Sequence, residues 1–452
     1  MQREETRFAV EVPRLGSLIL THTWDGQIQG LKEFAPEDRP NSTILFWSFR
    51  VMVGLGLLMI ALGAWSLLLR RGERLYRARA FLHMALWMGP AGVIAILAGW
   101  YTTEVGRQPW VVYGLQRTAD AVSPHWIVII FFGVMMYVVM DGFDLGIGML
   151  FPFVPDRHDR DVMMNTVAPV WDGNETWLVL GGAGLLAAFP LAYSVVLSAL
   201  YLPLMLMLLG LIFRGVAFEF RFKANDRERP VWDASFILGS ATASFFQGVA
   251  LGAYIDGIKM EGHRFAGGPL DWLAPFPLFC GVGLVVAYTV LGSTWLIMKT
   301  EGDLQQRMIR LTGKLAWLLL AVIAVISLWT PLTHAEIAAR WFSLPNLFWF
   351  SPVPILVALC MLMLMRALRR EPDMAPFLYA LGLVFLGYSG LAISVWPNII
   401  PPGISIWDAA GPPQSQGFAL VGALFIIPFI LMYTVWAYYV FRGKVRHGEG
   451  YH

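Results

Sequence analysis

The chain has 452 residues, of which 57% are hydrophobic and 14% are charged, and its mean hydropathy is +0.60. An ordinary soluble domain carries roughly 25% charged residues, so this composition excludes a soluble globular enzyme. The 33 Lys and Arg residues nearly balance the 31 Asp and Glu residues, which gives no indication of a nucleic-acid partner. Only two cysteines are present, both in apolar segments, so a disulfide framework is excluded. The composition predicts an all-α integral membrane protein.

Apolar segments long enough to cross a hydrocarbon core of ~30 Å recur along the chain. Residues 1–43 precede them, are charged near the N-terminus and lack the short apolar stretch of a signal peptide, so we predict a polar segment outside the membrane. One kinked helix over 172–213 is the alternative to two helices separated at Pro190. We predict eleven transmembrane helices, at 44–69, 80–100, 126–150, 172–189, 191–213, 232–255, 274–297, 313–332, 346–367, 375–396 and 417–441.

The basic residues favour one side of the membrane. With eleven helices, one set of loops contains the sequences RRGERLYRAR, FRFKANDRER, RALRR and FRGKVR, whereas the opposite loops hold few Lys and Arg residues. Cytoplasmic loops of membrane proteins carry the excess of Lys and Arg. This pattern predicts that the N-terminus lies outside and the C-terminus in the cytoplasm, and ten helices would place basic loops on both sides.

Ionisable and soft-ligand residues near the outer ends of the first two predicted helices are candidate functional groups. Arg50 and Met52 lie within FWSFRVMVGLG, and Trp100, Glu104 and Arg107 share one helical face in WYTTEVGRQPW. A thioether and a carboxylate, each near an Arg, are potential ligands for iron centres close to the outer face. The alternative is that the Met fills core space, the first Arg extends to the interface, and Glu and Arg form an interfacial pair.

A second group of polar residues lies where the third, fourth and fifth helices reach the basic side of the membrane. Intramembrane ionisable residues are costly and are therefore functional candidates. Such a carboxylate–Arg cluster is either a proton-entry site or a structural salt bridge between helix ends. The glycines of the neighbouring sequence GFDLGIG indicate close helix packing. The members of this group are Asp141, Asp144, Trp171, Asp172, Arg214 and Glu219.

Taken together, these motifs resemble cytochrome bd-type quinol oxidases, and the resemblance involves both membrane subunits in one chain. Residues 1 to about 122 resemble the C-terminal part of subunit I through ETRFAVEVPRLGSLILTHTWDG, FWSFRVMVGLG and WYTTEVGRQPW. Residues 123–452 resemble a complete subunit II through DGFDLGIG and PVWDGNETW. The resemblance divides the chain into a polar segment at 1–43, a two-helix fragment at 44–122 and a nine-helix domain at 123–452, whose helices are expected as two four-helix bundles plus one peripheral helix.

The resemblance implies quinol oxidation coupled to reduction of dioxygen to water, with protons taken from the cytoplasm, in a complex that holds haem b and haem d. By motif, Met52 corresponds to an axial ligand of the low-spin haem b and Glu104 to a ligand of the high-spin haem b. Asp144, Asp172 and Glu219 are candidate residues of the proton path, of which Asp172 is the first choice. The residues expected around the cofactors are Arg50, Trp100, Arg107, Trp171 and Arg214.

The chain departs from the family pattern at its N-terminal part. The first helices of subunit I, with its two haem-ligating histidines and most of its quinol-binding loop, have no counterpart, and ADAVSPHW leads directly into the first subunit II helix. We therefore expect a chain that is inactive alone and pairs with a full-length subunit I in the bacterial inner membrane, with small accessory subunits as further partners. The alternatives are a structural membrane scaffold and a secondary transporter, which requires interrupted helices at mid-membrane.

Overall fold

The computed structural model describes residues 13–28, 30–35, 39–70, 75–107, 110–112, 116–117, 126–262, 264–370, 373–446 and 448. It divides into two compact units, one within residues 1–122 and 412–417, the other within 123–411 and 418–452. Both units are built from helices, which confirms the predicted all-α class, and their strands form only short antiparallel pairs.

The first unit contains a pair of antiparallel helices, α2 and α4, that pack side by side. Thr102 of α4 donates a hydrogen bond to Ser48 of α2 at 2.9 Å. The predicted single helix over 80–100 is instead two helices, α3 and α4, because Gly89 disfavours a helix and Pro90 lacks a backbone N–H. The elements are α1 (Leu15–Thr21), α2 (Ser42–Arg70), α3 (Arg79–Trp87), α4 (Ala91–Arg107), β1 (Trp110–Val112) and β2 (Gln116–Arg117).

The second unit contains thirteen helices and two short antiparallel strand pairs. The helices are α5 (Trp126–Leu150), α6 (Arg157–Asn165), α7 (Trp171–Ala188), α8 (Pro190–Lys223), α9 (Arg229–Asp256), α10 (Pro275–Lys299), α11 (Gly302–Thr333), α12 (Ala335–Phe342), α13 (Asn346–Phe350), α14 (Pro352–Arg369), α15 (Ala375–Val395), α16 (Ile406–Ala409) and α17 (Pro413–Val440). The strands are β3 (Met260–Glu261), β4 (Arg264–Phe265), β5 (Asn398–Ile400) and β6 (Ile404–Ser405).

The long helices of the second unit form two four-helix bundles. Helices α5, α7, α8 and α9 pack together in one bundle, and α10, α11, α14 and α15 pack together in the other. The two bundles meet where α10 packs against α5 and α9, and α17 lies at the periphery. Among the described residues, nine helices are long and apolar enough to cross a membrane, so the chain is a multi-pass membrane protein. The count of eleven crossings stays a prediction.

Helix α5 is close to α10 because both carry glycines at the contact. A Cβ atom on Gly142 would lie 2.7 Å from the ring of Tyr288, and one on Gly146 would overlap the Tyr288 carbonyl oxygen. Gly292 of α10 faces Gly146 with equally little space. Small residues let two backbones approach closely, so the predicted packing role of the GFDLGIG glycines is confirmed.

The helix boundaries around Pro190 differ from the predicted ones in one respect. Phe189 leaves the helical conformation, with φ −135° and ψ 65°, so α7 and α8 are separate helices as predicted. However, α8 continues to Lys223, ten residues past the predicted end at 213, and its last turns bury the side chains of Arg214 and Arg221. Arg214 is therefore not the last residue of the helix, as predicted, but lies inside α8 with its side chain packed within the bundle.

Backbone and side-chain contacts tie the loops at each end of the second unit together. We call the end where α5, α8, α10, α14 and α17 finish the basic end. There, the backbone N–H of Val445 donates to the carbonyl of Lys299 at 2.9 Å. At the opposite end, Tyr254 donates to the carbonyl of Ile399 at 2.6 Å. These contacts fix the relative height of helices whose polar residues meet inside the bundle.

Candidate functional site

A cluster of charged side chains lies inside the first bundle, at the level where α5, α7 and α8 meet. The Arg214 guanidinium donates from Nη1 to Asp141 Oδ1 at 2.6 Å, and its Nη2 lies 2.9 Å from Glu175 Oε1. Arg214 and Asp141 are both 0% exposed. Arg214 is nine residues from the end of α8, which places it about 14 Å from the basic end at the rise of an α-helix. The pair therefore lies more than two helical turns from that end of α8.

A hydrogen-bonded chain joins the second carboxyl group of α5 to the peripheral helix. Asn174 Nδ2 donates to Asp144 Oδ2 at 2.7 Å, and the Tyr438 hydroxyl donates to Asn174 Oδ1 at 3.0 Å. Asp144 is 0% exposed and Asn174 is 1% exposed. Asp144 also interacts electrostatically with the groups around Arg214. The buried carboxyl group of Asp144 is thus connected to residues on three helices.

Aromatic rings cover the cluster on the side of α7 and α8. The Trp171 indole stacks on the Phe218 ring, with centroids 4.8 Å apart and an interplanar angle of 7°. The Arg214 guanidinium carbon lies 5.9 Å from the Trp171 ring and 5.8 Å from the Phe218 ring. Gly215 leaves room for Trp171 because the indole occupies the space next to its missing side chain. The rings shield the guanidinium from lipid and strengthen its interaction with the carboxylates.

The cluster contains more acidic groups than basic ones. Three carboxyl groups, those of Asp141, Asp144 and Glu175, interact with one guanidinium group, that of Arg214. Full ionisation would leave two negative charges without a cationic partner, which is unfavourable for the two fully buried aspartates, whereas the Glu175 side chain is 26% exposed. With more acidic than basic groups, the cluster is a candidate for accepting and releasing a proton.

Two of the predicted proton-path residues lie outside this cluster. Asp172 is exposed in the first turn of α7, on the face opposite Asn174. Glu219 is exposed near the end of α8, with its carboxylate 3.4 Å from the Lys223 ammonium. Of the predicted residues, the structure brings together Asp144, Trp171 and Arg214.

A second ionic network, at the basic end, is a feature that the sequence reasoning missed. Arg221 is buried and contacts Asp161 of α6 at 2.6 Å and Asp233 of α9. Arg160 also contacts Asp233, at 2.8 Å, and Arg229 lies 3.8 Å from Asp161. The signal in the sequence is the seven-residue spacing of Arg214 and Arg221, which places both guanidinium groups on the buried face of α8.

In the first unit, the structure describes only part of the predicted iron site. Met52 is half-buried and its sulfur packs against α4, where a Cβ on Gly99 would lie 2.9 Å from it. Arg50 is exposed, and its guanidinium donates to the Phe46 carbonyl at 3.1 Å.

The other predicted residues of this site are outside the described part of the chain. They are the side chains of Trp100, Glu104 and Arg107. No group of three His, Cys, Asp or Glu side chains that would hold a metal ion occurs among the described residues. A thioether such as that of Met52 is a kind of group that would hold a haem iron, and on its own it would supply only one ligand.

Comparison with known proteins places both parts of the chain in one kind of complex. The family model described as cytochrome bd terminal oxidase subunit II matches residues 122–441, and the model for cytochrome bd terminal oxidase subunit I matches residues 1–152. The cytochrome bd-I ubiquinol oxidase subunit 2 of Escherichia coli K12 is 30% identical over 350 residues, which cover 68% of this chain and 91% of that relative. The cytochrome bd-II ubiquinol oxidase subunit 1 of the same strain is 42% identical over 84 residues, or 19% of this chain and 16% of that relative.

A solved structure supports the fold independently. The structure of bd oxidase from Geobacillus thermodenitrificans superposes with a TM-score of 0.56 and 15% sequence identity, covering 70% of this chain and 96% of that chain. At this identity the likeness concerns the helical architecture alone. The predicted family is confirmed by the subunit II match, which extends over more than two thirds of the sequence. The chain belongs to the cytochrome bd terminal oxidase subunit II family, and it is a subunit of a respiratory quinol oxidoreductase complex.

Proposed function

We propose that this chain supplies the proton-uptake side of a cytochrome bd-type oxidase that oxidises quinol and reduces dioxygen to water. The observation that carries the proposal is the fully buried cluster of Asp141, Asp144 and Arg214, in which carboxyl groups outnumber the guanidinium. Reduction of dioxygen to water consumes protons, so the complex needs groups that carry them across a dry helix bundle. A buried cluster with more acidic than basic groups is a candidate for this role.

The residues have different parts in the proposed path. Asp172 and Glu219, exposed near the basic end, collect protons from solvent or from the lipid headgroup region. Asp144 accepts the proton inside the bundle, and Asn174 donates a hydrogen bond that stabilises its ionised form. Arg214 and Trp171 keep the carboxyl groups in place. The excess of Lys and Arg at the basic end supports a cytoplasmic location for that end, and hence proton uptake from the cytoplasm.

The cofactors are assigned to the complex rather than to this chain alone. Haem b and haem d would supply electron transfer and the site of dioxygen reduction, with Met52 and Glu104 as the ligands that this chain offers. Arg50, Trp100 and Arg107 would surround them. Since Met52 would supply one ligand of a low-spin haem at most, the second ligand and most of the quinol site would come from a full-length subunit I, and small accessory subunits would complete the assembly.

The test is to express the chain with a full-length subunit I and measure quinol-dependent oxygen consumption per haem. We expect Asp144→Asn to lower turnover by about tenfold or more, as for loss of a group that transfers a proton, with an unchanged haem spectrum. The matched control is Glu228→Gln, which removes a carboxylate in the α8–α9 turn. Wild-type turnover in Asp144→Asn would contradict the proposal and favour the structural scaffold. If the chain is instead a secondary transporter, we expect uptake of a solute and no quinol-dependent oxygen consumption.

A further inference from the structure

The peripheral helix α17 reaches the buried cluster through one hydroxyl group. Tyr438 lies in the last turn of α17, and its hydroxyl donates to Asn174 Oδ1 at 3.0 Å. The amide of Asn174 in turn donates from Nδ2 to Asp144 Oδ2 at 2.7 Å. Two consecutive hydrogen bonds therefore connect a helix outside both bundles to a carboxyl group at the centre of the first bundle.

The tyrosine satisfies the acceptor end of the Asn174 amide while the donor end faces the carboxylate. An Asn side chain has a donor end and an acceptor end, and a carboxylate accepts hydrogen bonds only. The carboxylate of Asp144 therefore selects the orientation in which Nδ2 donates to it, and the Tyr438 hydroxyl donates to Oδ1 at the other end. Without this hydroxyl, Oδ1 would lose its hydrogen-bond donor in a buried position. The hydroxyl thus supports the amide orientation that suits an ionised Asp144.

Contacts with α10 hold the Tyr438 ring and the end of α17 in position. The ring meets the edge of Trp295 of α10, with centroids 6.0 Å apart and an interplanar angle of 84°. Just beyond it, the buried ammonium of Lys299 donates to the Phe441 carbonyl at 2.5 Å and to the Gly443 carbonyl at 3.2 Å. These carbonyls follow the last turn of α17, where backbone acceptors have no partner within the helix. The end of α17 is thereby anchored to α10.

We propose that Tyr438 is a positioning residue for proton transfer at Asp144, acting through the amide of Asn174. This inference rests on the proposed function, because it assigns Tyr438 a part in the same proton path. It distinguishes Tyr438 from the other tyrosines of α17, such as Tyr439, which is 58% exposed. The hydroxyl group, not the ring, is the part of the side chain that acts on turnover.

The first experiment compares Tyr438→Phe with Tyr439→Phe in the complex with subunit I. Both variants lose one hydroxyl group from the same helix turn and keep the ring. We expect Tyr438→Phe to lower turnover per haem about fivefold to tenfold, the equivalent of one hydrogen bond, with a larger solvent isotope effect and an altered pH profile. Tyr439→Phe should match the wild type. Because turnover is measured per haem, reduced assembly does not mask the result, and a wild-type rate in Tyr438→Phe overturns the inference.

A double-mutant cycle with Asn174→Ala tests the route through the amide. If Tyr438 acts through Asn174, Tyr438→Phe causes no further loss of turnover in the Asn174→Ala background. Additive losses overturn the inference, since they show that the hydroxyl acts elsewhere. Asp144→Asn separates the two proposals: a slow Asp144→Asn with a normal Tyr438→Phe refutes only the role of the tyrosine. A normal Asp144→Asn refutes both.

Discussion

The two carboxyl groups of α5 allow stability and proton transfer to be separated. Asp141 and Asp144 are one helical turn apart and both are fully buried, but they have different partners. Asp141 pairs directly with the Arg214 guanidinium at 2.6 Å, whereas Asp144 accepts a hydrogen bond from the neutral Asn174 amide at 2.7 Å. The matched substitutions Asp141→Asn and Asp144→Asn change the same atoms at the two positions. We expect the first to act mainly on stability and the second mainly on turnover.

The expected free-energy changes follow from these partners. Removing one member of a buried ion pair costs about 3–5 kcal/mol because the remaining charge loses its compensation. Glu175 stays 2.9 Å from Arg214, so we expect the lower end, about 3 kcal/mol, for Asp141→Asn. In Asp144→Asn the new amide oxygen still accepts the hydrogen bond from Asn174, so the cost stays near that of one weakened hydrogen bond, about 1 kcal/mol. We therefore expect Asp144→Asn to lower the free energy of unfolding by about 2 kcal/mol less than Asp141→Asn does.

Thermal unfolding of the purified complex and oxygen consumption per haem measure the two effects. At about 1 °C per kcal/mol for a chain of this length, Asp141→Asn should lower the unfolding temperature by about 3 °C, and Asp144→Asn by about 1 °C. The complex that remains folded with Asp141→Asn should keep a larger share of its turnover than the complex with Asp144→Asn. The reasoning is refuted if the two variants unfold at the same temperature, or if Asp141→Asn is as stable as the wild type.

Further predictions concern the other predicted and observed residues. The purified chain without a partner should show no quinol-dependent oxygen consumption, and robust activity would contradict the inference that a haem ligand is missing. Asp172→Asn should slow turnover while haem content, measured from the absorption spectrum, stays unchanged, since the side chain is exposed; loss of haem would make Asp172 structural. Met52→Ala should remove the low-spin haem b signal, and an unchanged spectrum would mean that the partner supplies both ligands. Arg221→Gln should reduce the yield of folded complex by uncoupling α6, α8 and α9, and a wild-type yield would exclude that role.

The helical spacing within α7 indicates which of its residues are buried, which the PVWDGNETW motif alone does not. In PVWDGNETW, the resemblance to the family makes Asp172 the first choice for a proton path. The i, i+3 and i+4 rule, however, places Asn174 and Trp177 on one face, together with Gly181, and these three residues are buried. Asp172 lies on another face, which is exposed. The predicted residues include Asp172, selected from the motif, but not Glu175, which lies beside the buried face and contacts Arg214.

Other features of the site could not be derived from the sequence. Tyr438 meets Asn174 across 264 residues of chain, and an apolar, peripheral helix gives no periodic signal for which of its side chains faces inward. Arg214 illustrates a second limit. Its charge suggests the end of a transmembrane helix, but two acidic partners on other helices compensate the cost of burying the guanidinium. Predictions based on local hydropathy fail where tertiary partners compensate a charge, because those partners are distant in the sequence.

The two ionic networks of the first bundle differ in charge balance, and this difference supports different roles. At the basic end, three cations (Arg160, Arg221 and Arg229) face two carboxylates, Asp161 and Asp233. Both carboxylates of this network have a cationic partner, so the network serves to join α6, α8 and α9.

Deeper in the bundle the balance is reversed. One guanidinium, that of Arg214, serves the carboxyl groups of Asp141, Glu175 and Asp144, the last of which has a neutral amide as its hydrogen-bond donor. A purely structural ion pair needs only one of these acids, and each additional buried carboxyl group costs free energy unless it is protonated. Buried carboxyl groups without a cationic partner lower the stability of the fold. A residue that transfers protons, however, must be able to exist in both the protonated and the ionised form. The charge count therefore supports the proposal that the inner cluster, not the network at the basic end, transfers protons.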